Sequence, residues 1–202
     1  MSLALLAGLW ACEGPCPDGM VRIQGVGGPF CIHAYEAQVE GGVRVMGPVR
    51  SATGLEPTMG ASWKQARRAC ERSGMHLCTS QEWEDACDGQ PGEGGRAHPT
   101  LDGSYVRKAC GIAAYGVHFE PWLAPAGSYP DCRTPEGVYD MMGNLWEWTD
   151  PEQVGAEGQP LTDKRGGAHY SQGPVACSFH ALGMHPPVFT GSIGFRCCTG
   201  VR

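Results

Sequence analysis

The chain has 202 residues, 42% of them apolar, with 21 acidic and 15 basic side chains and a formal net charge of −6. That length supports one substantial core or two small ones, and 31 glycines with 16 prolines argue for turns and irregular backbone over a helical bundle. The charges are interspersed and Arg165-Gly166-Gly167 is a single triplet, so no nucleic-acid face is expected.

In chain order, Leu3 to Ala11 form an apolar run, LALLAGLWA, that ends at Cys12. It is too short to span a bilayer and has the length of a signal-peptide core. Leu9-Trp10-Ala11-Cys12 loosely matches the lipoprotein signal-peptidase site. Residues 1–12 are therefore expected to be an export signal with Cys12 as the acylated residue, and residues 13–202 a single domain. Trp10 is bulky where a small residue is usual, and no Lys or Arg precedes the run; a short buried N-terminal strand is the alternative. Eleven cysteines run from Cys12 to Cys198 with no CxxC pair and no zinc-ligand spacing. Thiols in that number suit an oxidising compartment, where they become crosslinks. The expected location is the bacterial periplasm or cell surface, with membrane contact only through a lipid anchor at Cys12.

From Met20 to Val45 the pattern alternates, as MVRIQGV, FCIHAYEAQV and GVRVM separated by glycines, which predicts strands and turns. Ser62 followed by Gln65, and Thr79 followed by Glu82, are capping boxes that predict two helices. The first stops at Gly74 and carries Cys70; the second places Trp83 and Cys87 on one face. Residues 89–137 read as mostly loop, with 92–96 as a flexible tip. Short strands are expected in GVYDMMGNLWEWT, KRGGAHY and SIGFRCC. Trp146 and Trp148 alternate with Leu145 and Glu147, as on a strand with one buried face.

Several of these segments resemble one family in order. ASWKQARRACERSGMHLCTSQEWEDAC resembles its helical region, GVYDMMGNLWEWT its most distinctive motif, and KRGGAHY and IGFRCC its Arg-Gly-Gly and Gly-Phe-Arg-Cys segments. FCIHAYEA is similar to its opening strand. The family is that of formylglycine-generating enzymes and sulfatase-modifying factors, and the resemblance covers about residues 16–199. It implies an α+β domain with a C-type-lectin-like fold, few short helices and strands, long loops and several disulfides. It implies a calcium ion on Asp140, Gly143, Leu145 and Glu147, through two side-chain oxygens and two backbone carbonyls. Calcium takes about six to eight hard oxygens, which a tight turn can supply. The alternative is that Glu147 pairs with Arg165 or Arg196. It also implies the disulfides Cys70–Cys197 and Cys87–Cys177. For the rest, sequence leaves connectivity open; Cys16–Cys31 across a hairpin, Cys110–Cys132 across the loop region and Cys78–Cys198 beside the first bridge are the expected pairs.

The family's oxidase chemistry needs two thiolates that bind copper(I), a soft ion suited to sulfur. They follow the Gly-Gly pair. Here Ser171 stands at the first thiolate position, Ala168 replaces a serine beside the oxygen site, and the shortened segment leaves no counterpart for the second. Cys177 fits the structural bridge better, so copper is not expected. The cleft candidates are His169, Tyr170 and Ser171. His169, His180 and His185 make no recognised metal motif and read as hydrogen-bonded loop histidines. The leading expectation is a binding or accessory module for a protein, peptide or glycan, by analogy with lectin-like folds. The alternative is a divergent oxidoreductase acting on a peptide thiol or a small molecule.

Overall fold

The first alternating run becomes a hairpin: Met20–Gly25 (β1) pairs antiparallel with Gly28–His33 (β2), from Met20 opposite His33 to Gly25 opposite Gly28. A computed structural model describes residues 14–89, 96–105, 109–112, 123–171, 175–182 and 191–201. Cys12, His185 and the tip at 92–95 lie outside the described residues.

The third run departs from expectation. Gly42–Val45 is one helical turn (α1) between the short strands Gln38–Val39 (β3) and Val49–Arg50 (β4), which pair with each other. Gly41, Gly42 and Met46 all take positive φ, so the chain reverses where a strand would need extended backbone.

Both capping boxes form. Ser62 opens Trp63–Arg72 (α2), accepting from the Gln65 amide while the Gln65 side chain accepts from Ser62. Thr79 and Glu82 do the same for Ser80–Asp88 (α3). The first helix ends at Arg72, ahead of the left-handed Gly74. α2 buries Trp63, Ala66, Ala69 and Cys70, and α3 buries Trp83, Asp85, Ala86 and Cys87.

Two four-stranded sheets complete the frame. With His76–Leu77 (β5) and Cys197–Gly200 (β10), the first has the order β1-β2-β10-β5. The second comprises Trp146–Thr149 (β6), Asp163–Arg165 (β7), His180–Leu182 (β8) and Ile193–Phe195 (β9), in the order β8-β7-β6-β9. All pairs are antiparallel except β6 with β9. SIGFRCC therefore splits at Arg196, one half in each sheet. The expected one-sided burial of β6 is also corrected: Trp146 to Thr149 are all buried, because α2 covers one face and α3 the other.

The ten described cysteines form five disulfides: Cys16–Cys31, Cys70–Cys197, Cys78–Cys198, Cys87–Cys177 and Cys110–Cys132. Cys70–Cys197 and Cys78–Cys198 tie α2 and its following strand to β10, while Cys87–Cys177 anchors α3 to the segment before β8. Crosslinking of this density fits an oxidising environment. Among the described residues no helix is long and apolar enough to cross a membrane.

Candidate functional site

The turn that leads into β6 holds Asp140, Gly143 and Asn144 at φ of 56°, 77° and 42°. A Cβ at Gly143 would lie 1.9 Å from the Cys110 carbonyl, so only glycine passes there. This left-handed path brings Asp140, Asn144 and Glu147 within reach of Glu36 and Arg196.

Glu147 is buried and fully engaged. Both of its oxygens accept from Arg196 Nε at 2.9 Å, and Oε2 also accepts from Trp83 Nε1 at 2.8 Å. The remaining Arg196 donors go to the His33 and Tyr139 carbonyls. Of the two arginines considered from sequence, Arg196 is thus the partner; Arg165 pairs with Asp163 and Glu84. Asp140 differs. One oxygen accepts from Gly127 N at 2.6 Å, and the other is buried without a hydrogen-bond partner. Burial pushes the Asp140 pKa up to about 6. Glu36 accepts from Asn144 Nδ2 at 2.6 Å and Leu145 N at 3.2 Å. Burial, then the Asp140 and Glu147 carboxylates, push its pKa well above the usual value.

Three buried carboxyl groups thus share one buried guanidinium. A cation or protons must balance them, since unpaired buried charge is costly. For the implied calcium ion, Asp140 fits, with one buried oxygen that has no hydrogen-bond partner. Glu147 is oriented onto Arg196 and Trp83, and among the described residues no three His, Cys, Asp or Glu side chains gather as a metal site.

The cleft candidates lie on the adjoining turn. Gly166 and Gly167, both at positive φ, end β7, and a Cβ on Gly167 would come within 2.8 Å of Ser171 Oγ. Ser171 Oγ accepts from Ala168 N at 2.9 Å, closing the turn. His169 contacts the Asn144 carbonyl through both its amide and Nδ1, and its ring meets Tyr170 edge-on at 5.2 Å. Tyr170 is exposed, with its hydroxyl 3.1 Å from Ser192 Oγ. The structure therefore brings His169, Tyr170 and Ser171 together, while Cys177 is bonded to Cys87 and supplies no thiol to that turn.

His180 stands apart, on β8. Its Nδ1 lies 3.1 Å from buried Asp163, whose other oxygen accepts from Ser80 Oγ and Arg165 Nε. Sequence reasoning missed Glu36, Asp163 and Lys164. Glu36, at the end of an apolar run, was the one legible signal, because an acid there must find partners. Lys164 Nζ lies 4.6 Å from the centroid of Trp146, and Phe179 stacks on the same indole at 5.1 Å.

Short strands, two capped helices, long loops and dense crosslinking define an α+β domain of the C-type-lectin-like class. Residues 34–201 match the sulfatase-modifying factor enzyme 1-like domain, so the chain belongs to the formylglycine-generating-enzyme-like family. It is 28% identical over 160 residues to inactive C-alpha-formylglycine-generating enzyme 2 of Bos taurus, covering 71% of this chain and 50% of that protein. It is 32% identical over 103 residues to hercynine oxygenase of Mycolicibacterium smegmatis, covering 51% and 23% respectively. The chain thus spans half or less of these two relatives' length. In fold it is similar to CarF, with a TM-score of 0.69, 17% identity and coverage of 92% and 99%.

Proposed function

We propose that this chain is an exported, non-catalytic member of its family that acts as a binding or accessory domain. The observation that carries this reading is the fate of the sulfur. All ten described cysteines are in disulfides, and the family resemblance implies that Ser171 stands where a copper-binding thiolate would be. A hydroxyl is a poor ligand for copper(I), and a disulfide sulfur is no thiolate. The similarity to a relative named as inactive supports the same direction. What remains at the turn is a rigid scaffold bearing exposed side chains, suited to a peptide, protein or glycan partner. Calcium at Asp140, with backbone oxygens of the 143–145 turn and Glu147 shared with Arg196, would serve to hold that scaffold. The five disulfides favour export, and acylation at Cys12 would tether the domain to a membrane surface.

A divergent oxidoreductase is the second reading, favoured by the similarity to hercynine oxygenase. The deciding experiment incubates the protein with copper(I), oxygen and a cysteine-containing peptide, followed by mass spectrometry. No aldehyde product is expected; catalytic formation of formylglycine would refute the proposal. Mass spectrometry of exported protein likewise tests acylation at Cys12, and an unmodified Cys12 in the mature chain would remove the anchor.

A further inference from the structure

Beside the Ser171 turn, β6, β7 and the segment entering β8 present one mixed surface. Lys164 extends over the Trp146 ring, and Phe179 stacks on that ring with an interplanar angle of 29°. Gly167 links this group to the turn: a Cβ there would lie 2.8 Å from Ser171 Oγ and 3.6 Å from Phe179 Cε1.

The neighbouring cations show what is unusual about Lys164. Arg165 is held by Asp163 and Glu84, and Arg196 by Glu147. Among the described residues no carboxylate pairs with Lys164; an indole face alone meets its ammonium. A cation against an aromatic ring is partly compensated, and a carboxylate would complete it. Burial already holds the Lys164 pKa below the ordinary lysine value. Phe179, stacked on the same indole, is 43% exposed, and Tyr170, on the adjoining turn, is 50% exposed. Large aromatic side chains left open beside an incompletely satisfied charge are the composition of a recognition surface.

We propose that this surface docks a peptide segment carrying an acidic residue next to an aromatic one, with Lys164 receiving the carboxylate and Phe179 meeting the aromatic ring. The occupant is set by charge complementarity at one point. The whole chain carries −6 and repels polyacidic partners at long range, so the fit is to a single acid within an apolar segment. The surface is open and built from three separate segments, which suits an extended chain. This inference rests on the reading of the chain as a binding domain.

The test titrates the folded protein with acetyl-Phe-Glu-Phe-amide and its Gln twin, followed by tryptophan fluorescence. The Glu peptide should bind about ten-fold more tightly, as expected for a partly desolvated charge contact, and Lys164→Met should erase that preference. Phe179→Ala should weaken both peptides while keeping the preference, which keeps the test decisive if the lysine variant does not fold. Equal affinity for the two peptides, or an undiminished preference in Lys164→Met, would overturn the proposal. So would phenylacetate binding as tightly as the Glu peptide, which would mark a small-carboxylate site. A formylglycine product would instead refute the non-catalytic reading, so the two failures are distinguishable.

Discussion

Arg196 Nε lies 2.9 Å from each carboxylate oxygen of Glu147, and both side chains are almost wholly excluded from solvent. Because Arg196 also donates to the carbonyls of His33 and Tyr139, one guanidinium joins β2, the loop before the 140–145 turn, and β6. Arg196 sits where SIGFRCC passes from one sheet to the other, so this pair ties both sheets to the candidate calcium turn.

Replacing Arg196 by Met should therefore be severe. It removes the partner of a buried carboxylate and orphans two carbonyls, and breaking such a pair typically costs about 3–5 kcal/mol. Urea unfolding measures the loss. By contrast, Arg67→Ala, at an exposed pair with Glu71 on α2, should change stability by less than about 1 kcal/mol. Similar costs for both would contradict the role assigned to Arg196.

His33 gives a pH signature. Burial, then the neighbouring Arg196, lowers its pKa from 6.5 to about 3. The unfolded chain therefore binds a proton that the folded one refuses. This contribution to stability is complete above pH 6.5 and is lost as pH falls toward about 3, at up to ~1.4 kcal/mol per pH unit. The difference in unfolding free energy between wild type and His33→Gln should shrink over that window. Asp140 acts with the opposite sign: its raised pKa stabilises the folded state at low pH, an effect lost as pH rises through about 6. A wild-type minus His33→Gln difference that is flat with pH would contradict the His33 assignment.

Much of the frame was legible in the sequence, because capping boxes and alternating runs are local. Ser62 with Gln65 and Thr79 with Glu82 mark their helices by spacing alone. Gly42–Val45 misled because β-branched Val43 and Val45 alternate with Arg44 as on a strand, and only the positive φ of Gly41, Gly42 and Met46 shows the reversal. The site was harder to read. The sequence places His169, Tyr170 and Ser171 side by side on one turn, whereas Glu36 meets Asn144 across 108 residues and no local pattern encodes that contact. Lys164 lies in the strand segment KRGGAHY, and only the fold places it over Trp146.

Calcium should raise the thermal midpoint of metal-free protein, and magnesium should do so less, because the smaller ion demands stricter geometry. Asp140→Asn should shrink the calcium shift by removing the charge while keeping one side-chain oxygen and the fold, since asparagine tolerates the left-handed φ of 56°. The unpartnered oxygen of Asp140 motivates this expectation. A midpoint indifferent to millimolar calcium would remove the metal from the account.

The most direct test of the central claim is a free-thiol count on native, unreduced protein, by alkylation and mass spectrometry with peptide mapping. The predicted result is no alkylation at Cys16, Cys31, Cys70, Cys78, Cys87, Cys110, Cys132, Cys177, Cys197 or Cys198, leaving Cys12 as the one candidate for a free or acylated sulfur. Two free thiols, one of them Cys177, would contradict it and return a copper-binding pair to the cleft.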